Sequence, residues 1–581
     1  MRGFDELYVP LPVSRSYLKK ALRGAMLSYT PEEYSLFVYL SALLGLVAGY
    51  VVAIFFNFPK LGRLEKWILP AFLALVFYAF ALLYPFTLSK SRRTRIDLKL
   101  PHAITYMRSL CNTMPLYDVF KQIFLERDLY GEVSEEFGFV VRDVEMFGMC
   151  LTEAMLELAS NTPSENLREF VQGLAIVFES GGDMRGYMSA KAENFRDRAR
   201  KQLELNMKTL EILAEVFTVL FVALPVFLII VISTAHFLGR GVSGLFYLYL
   251  YFFMPVGGVM LIYVVDLINV KEDLSVTRVR RTGLFYPYLK PSESEEVAET
   301  SFGVWEVVSK PFRAAKENYY YSLAFSPALV ALWYCLIGHL KLEFWETKLC
   351  LLVVFALLPL AIAFEYRAAF VRRVEKETPD FLRQVLNLKD VGLTLHGIVD
   401  MLKESKIGVL SREIRFASAE MDWGSTAGEA LVELINRVGV SSIRRAITLL
   451  LRASEVTENI RDVLLTAIED FEYELKLKDM RFATGFAYLA IIYLSFFILL
   501  YVSYSIIHAF LSKLPNYTPS FGLLSMMYQI ALMLAFFSGI LAGQMEKGHV
   551  LYGLKHLFVF LVSSAVMFEI LIPGVSVYRL V

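Results

Sequence analysis

The chain has 581 residues, 56% of them hydrophobic and 14% aromatic, with a mean hydropathy of +0.50. Lysine plus arginine equal aspartate plus glutamate at 58 each, so the formal net charge is zero and no global attraction to nucleic acid follows. Charged residues are only 20% and they cluster, which argues against a soluble globular chain, and four cysteines without a CxxC pair argue against a disulfide or zinc framework.

Residues 1–35 form a polar N-terminal segment carrying Arg15, Lys19, Lys20 and Arg23, with no cleavable signal peptide in view. About nine apolar runs of bilayer length then follow: 36–57, 67–88, 212–236, 244–269, 322–339, 349–365, 483–511, 521–543 and 550–572. Two long polar segments, 89–211 and 366–482, separate pairs of these runs, and the segment 270–321 links the two halves. Lysine and arginine gather after the second, fourth and sixth runs, at Arg92 and Arg93, at Arg278, Arg280 and Arg281, and at Arg372 and Arg373. By the positive-inside rule these segments share one side, the cytoplasmic one; the basic loop 58–66 is a counterexample. The expectation is a multi-pass protein of the cell membrane with large domains on its cytoplasmic side.

The polar segments read as amphipathic helices. Leu167, Val171, Leu174 and Phe178 lie on one helical stripe; so do Leu431, Leu434, Ile435 and Val438, and so do Ile460, Leu464, Ile468, Phe471 and Leu475. Period-two runs are few, so the expected fold class is all-α: about nine transmembrane helices and two helical bundles. Ser164 after Pro163, and Ser441, mark helix starts.

The order span pair, helical segment, span pair occurs twice. A shift of 276 positions superposes Gly148 on Gly424, Glu153 on Glu429, Glu157 on Glu433, Arg168 on Arg444 and Glu179 on Glu455. An earlier stretch aligns Pro101 with Pro379. Span number and direction agree between the halves, so the repeat is parallel rather than inverted.

Recognisable catalytic chemistry is missing. The chain has no Gly-Lys dipeptide and hence no phosphate loop, no HExxH and no GxSxG, and its seven histidines show no ligand spacing. Neither an enzyme nor a cofactor or metal site is expected. Charge is scarce within the apolar runs, which argues against the alternative of a secondary transporter or channel built from a parallel repeat.

Three sets of residues carry a resemblance: the helical blocks at Leu100-Pro101 and Thr378-Pro379, read as proline-initiated; Phe178-Glu-Ser-Gly-Gly-Asp-Met184 with its echo Ala453–Ile460; and Ala542-Gly-Gln-Met-Glu-Lys-Gly548 with Gly553-Leu-Lys-His556. The chain resembles the type II secretion F-domain family, in the branch with two tandem F domains found in archaeal pilus and archaellum platforms. The second copy departs from the family pattern, with Thr457-Glu458 in place of Gly181-Gly182. The resemblance implies a non-enzymatic platform that couples a hexameric secretion ATPase to pilin or archaellin extraction and filament assembly, without nucleic acid. A homodimer would suit a six-fold motor. Candidate partner-facing residues are Glu179, Gly181, Gly182 and Asp183, their echoes Glu455, Glu458 and Asn459, and the arginines at 92, 93, 278, 280, 281, 372 and 373. For the Gly-Gly segment the competing reading is a capped helix–helix turn; for the arginines it is the ordinary inside excess meeting anionic membrane lipid.

Overall fold

The computed structural model describes residues 12–55, 65–111, 114–237, 249–269, 274, 276, 318–337, 344–456, 460–513 and 521–571. Every regular element among them is helical. The chain divides into two compact units, residues 1–202 with 235–256, and residues 203–234 with 257–581.

In the first unit, α1 (Arg15–Gly24) buries Leu18 and Leu22 against Tyr34, Val38 and Ala81 of the hairpin made by α2 (Pro31–Phe55) and α3 (Glu65–Leu110). The Tyr34 hydroxyl donates to the Ala81 carbonyl at 2.7 Å. Helix α3 runs unbroken from the second apolar stretch into the polar segment. There it meets α4 (Leu116–Leu125), the short α5 (Arg127–Tyr130), α6 (Glu132–Phe147) and α8 (Glu165–Glu179); α7 (Leu151–Asn161) packs on α6 and α8, and α9 (Met184–Phe217) leads out. The helix boundaries follow local chemistry. Gly148, in the left-handed region at φ 67°, ends α6, the Cys150 sulfur accepts the Glu153 amide at the start of α7, and Ser164 Oγ accepts the Leu167 amide at 3.0 Å. Leu167, Phe170, Val171 and Leu174 are fully buried, and Phe120 stacks on Phe137. Phe178 departs from the expected stripe: it sits in the last turn of α8 and is exposed.

The second unit repeats the plan. After a π-helical turn at Thr218–Ala223 the chain continues through α10 (Leu224–Phe237) and α11 (Met254–Ile268) to α12 (Ser326–Ile337) and α13 (Trp345–Asp390). Next come α14 (Leu395–Leu402), α15 (Leu410–Asp422), α16 (Ala427–Val438) and α17 (Ser441–Val456), then α18 (Ile460–Lys513), α19 (Phe521–Lys547) and α20 (Gly553–Val566). Helices α3 and α13 are each 46 residues long. Gly424 takes a left-handed φ of 99°, as Gly148 does in the first copy. Glu429 closes a capping box with Thr426, and its counterpart Glu153 stands at the same step of α7. Leu431, Leu434, Ile435 and Val438 are buried together with Leu464, Ile468 and Phe471.

Eight helices among the described residues are long and apolar enough to cross a membrane, and residues 338–339 of the fifth expected run lie outside those residues. The fifth run appears as a 3-10 segment, Tyr319–Phe325, followed by the twelve-residue α12, which stops where the described residues stop. Pro101 and Pro379 do not begin helices; they lie inside α3 and α13. Each removes one ladder hydrogen bond. Buried neighbours on both sides, Leu100 and Ile104 in one copy and Val374 and Phe381 in the other, hold the helix through the gap.

Candidate coupling surface

The Gly-Gly segment forms a tight junction between α8 and α9. Gly181 is left-handed at φ 66°, its amide bonds to the Phe178 carbonyl at 3.3 Å, and the Gly182 amide bonds to the Val177 carbonyl at 2.9 Å. That pair of bonds is a Schellman cap. Asp183 Oδ1 then accepts the Gly186 amide at 2.9 Å and caps α9. Glu179, Gly181, Gly182 and Asp183 are all exposed, so the segment is both a capped turn and an accessible one. In the second copy α17 is described as far as Val456 and α18 from Ile460 onward. Glu458 and Asn459 lie outside the described residues, as does the side chain of Glu455.

The arginines separate. Arg92 cannot face a partner, because it is 3% exposed. Its Nε donates to Glu132 at 2.6 Å, its Nη2 to Glu136 at 2.6 Å and its Nη1 to the Gly24 carbonyl at 3.3 Å. The residue therefore pins α1 and α6 to α3. Its two carboxylates respond in opposite directions. Burial pushes Glu132 up, but hydrogen bonds from Arg92 and Arg95 outweigh it and hold the carboxyl below its ordinary range. At Glu136 burial wins over Arg92 and the carboxyl is raised. Arg93 is half exposed, 3.7 Å from Asp97. Arg372 reaches Glu365 at 3.3 Å and lies over the Tyr552 ring, while Arg373 is exposed. Arg278, Arg280 and Arg281 lie outside the described residues.

Two features escaped sequence reading. The terminal motifs meet: a Cβ at Gly543 would run into the backbone of Gly553, and Glu546 bonds His556 at 2.9 Å and Lys555 at 3.0 Å. Glycines thus let α19 and α20 touch backbone to backbone while a buried carboxylate joins them. The second feature is an exposed aromatic just before the left-handed glycine in each copy, Phe147 at 67% and Trp423 at 91% exposure. The 276-residue offset aligns the two, but a shared aromatic character is lost among apolar positions until exposure is known.

Elsewhere the blocks carry ordinary surface pairs. Hydrogen bonds from Lys191 and Arg198 hold the Glu169 carboxyl below its usual range. Burial pushes the Cys111 thiol up to about 11, and the thiol donates to the Met188 sulfur. Among the described residues, no group of three or more histidine, cysteine, aspartate or glutamate side chains is arranged to hold a metal ion.

Comparison with known proteins agrees with this geometry. The sequence profile of the family described as type II secretion system, protein F matches residues 105–232 and 381–507. Each match starts within a 46-residue helix, covers one helical block and ends in the apolar helix that follows. An uncharacterised protein of Methanocaldococcus jannaschii is 22% identical over 512 residues, 85% of this chain and 82% of that protein. Flagella accessory protein J of the same organism is 26% identical over 159 residues, 27% of each chain. No solved structure matches. With eight membrane-capable helices and an internally repeated helical block, this multi-pass membrane protein carries two tandem domains of the type II secretion system protein F family.

Proposed function

We propose that the chain is the cell-membrane platform of an archaeal type IV filament machine, a pilus or an archaellum. It is not an enzyme. Its helical blocks lie in the cytoplasm and receive the conformational cycle of a hexameric secretion ATPase, and its spans pass pilin-like subunits from the bilayer to the filament base. The observation that carries this reading is that each block is built on a helix continuous with a membrane-capable stretch, α3 in one copy and α13 in the other. A displacement at the block therefore reaches the bilayer without passing a loop. The basic residues that follow those stretches, Arg93 and Arg95 in α3 and Arg372 and Arg373 in α13, support the cytoplasmic orientation. The similarity to flagella accessory protein J supports the machine.

The test uses the full chain in lipid nanodiscs with the filament ATPase of the same organism. Saturable binding and a changed ATP hydrolysis rate are expected. Absence of binding, together with solute or ion flux in proteoliposomes, would instead establish the transporter.

A further inference from the structure

A buried carboxylate is left half used at one end of the second unit's apolar helices. Glu346 stands in the first turn of α13 and is 3% exposed. Its Oε1 accepts the Ser525 hydroxyl and, at 3.0 Å, the side-chain amide of Gln529, both on α19. Its Oε2 is buried and meets no hydrogen-bond partner. Lys348, the nearest cationic residue along α13, is two positions on and therefore on another face of the helix.

The surroundings are rich in oxygen. Thr347 Oγ1 lies 2.9 Å from the Tyr528 hydroxyl, and both residues are buried. Glu569, in the π-helical turn Met567–Leu571 that follows α20, accepts the Phe344 amide at 3.0 Å and so serves the positive pole of α13. Glu346, Ser525 and Glu569 each stand within three residues of the end of a membrane-capable stretch. In the proposed orientation these are outer ends, remote from the helical blocks.

A carboxylate shut away from water without a cation beside it is costly. A proton is a poor remedy here. On Oε2 it would cancel the charge but create an O–H donor with no acceptor in reach. A metal cation cancels the charge and uses the idle lone pairs together. Carboxylate, hydroxyl and amide oxygens are the donors that hard cations take.

We propose that Glu346 Oε2 anchors a site for a hard cation, an alkali or alkaline-earth ion, which ties α13 to α19 and to the turn after α20. The hydroxyl and carboxylate oxygens beside it, with water, complete the shell. This inference goes beyond the platform reading and does not depend on it. It gives the bundle an ion-dependent joint on the side away from the blocks, in keeping with the functional weight that ionisable groups within membrane helices carry.

The test uses the intact chain in nanodiscs, exchanged into choline chloride at constant ionic strength and titrated separately with sodium, potassium, magnesium and calcium chloride. Mass spectrometry reads amide exchange in the first turns of α13 and α19. At least one of these ions should slow that exchange saturably, on the order of tenfold once free ion is about ten times its Kd. Glu346→Gln keeps the size and removes the charge. It should abolish the response, and without added ion it should exchange more slowly than wild type. Glu365→Gln, at the other end of the same apolar stretch, should respond as wild type does. Equilibrium dialysis of wild type against radioactive sodium or calcium gives a reading that does not need the variant to fold, with one ion retained per chain. No slowing by any ion and none retained overturns the proposal. An equal response in Glu346→Gln also overturns it, by placing the ion elsewhere. Exchange that follows pH alone, whatever the ion, makes Glu346 a protonated carboxyl and overturns it too. None of these outcomes touches the ATPase-binding test of the platform.

Discussion

Replacing Arg92 with methionine tests the account of how the first block is held to its span. Methionine fills similar space but removes donors to Glu132, Glu136 and the Gly24 carbonyl at once. Glu132 keeps Arg95 at 3.0 Å. Glu136, whose side chain is 3% exposed, keeps only the hydrogen bond from Thr162 among its stabilising contacts. Breaking a buried pair from one side costs about 3–5 kcal/mol. At about 1.4 kcal/mol per decade, amide exchange in α1 and α6 should quicken a hundredfold to several thousandfold. Hydrogen–deuterium exchange in nanodiscs reads this region by region, which a single melting temperature for a chain of this size does not. Adding Glu136→Gln removes the stranded charge and should restore at least a tenfold share of the protection. Acid should do the same. A folded carboxyl raised above its unfolded value opposes folding as pH rises through that window, and the penalty disappears below the ordinary carboxylate range. In wild type Glu132 acts in the other sense: its stabilisation is present above the ordinary range and is lost as pH falls, so the two partly cancel. Loss of less than tenfold protection in Arg92→Met, or no recovery with Glu136→Gln, would refute the hub.

Gly181→Ala meets open space but must hold a left-handed backbone, so it should cost about 1 kcal/mol, and Gly181→Asn less; exchange of the amides from Ser180 to Gly186 measures both. Gly543→Ala has no such room: its new methyl meets the Gly553 backbone, and the variant should lose folded yield on gel filtration unless α19 and α20 separate. Cys150 is exposed and should label at once with a membrane-impermeant maleimide in inside-out vesicles and not in intact cells. Cys111, with its thiol near 11, should label far more slowly at pH 7.5.

Periodicity made the spans and the buried stripes legible, because both are local patterns. The stripe Leu431, Leu434, Ile435 and Val438 is interior along its whole length, whereas the glycines Gly148 and Gly424 were legible only as a matched pair, their left-handed backbone being visible in the structure alone. Arg92 was misread for the opposite reason. Its partners lie 40 and 44 positions later, and a basic residue after a span looks the same whether it faces lipid, solvent or a buried glutamate. Proline carries a similar ambiguity. A first-turn proline and an interior one share their neighbours, and only tertiary packing decided that α3 and α13 run through Pro101 and Pro379. Phe178 fitted its stripe by spacing, but its helix ended before the core did. The exposed rings Phe147 and Trp423 were hidden because apolar patterning cannot separate a ring that is buried from one that is not.

Helices α3 and α13 have a mechanical consequence. At 1.5 Å per residue, 46 residues make a strut of about 69 Å, much longer than a bilayer core is thick. A tilt of about 5° about one end of such a strut sweeps the other through about 6 Å, roughly one helical turn. Small angular work done on a block would thus arrive among the spans as a displacement large enough to shift one helix past its neighbour. Interior prolines, Pro70, Pro85 and Pro101 in α3 and Pro359 and Pro379 in α13, each remove a ladder hydrogen bond and mark the places where such a rod would yield.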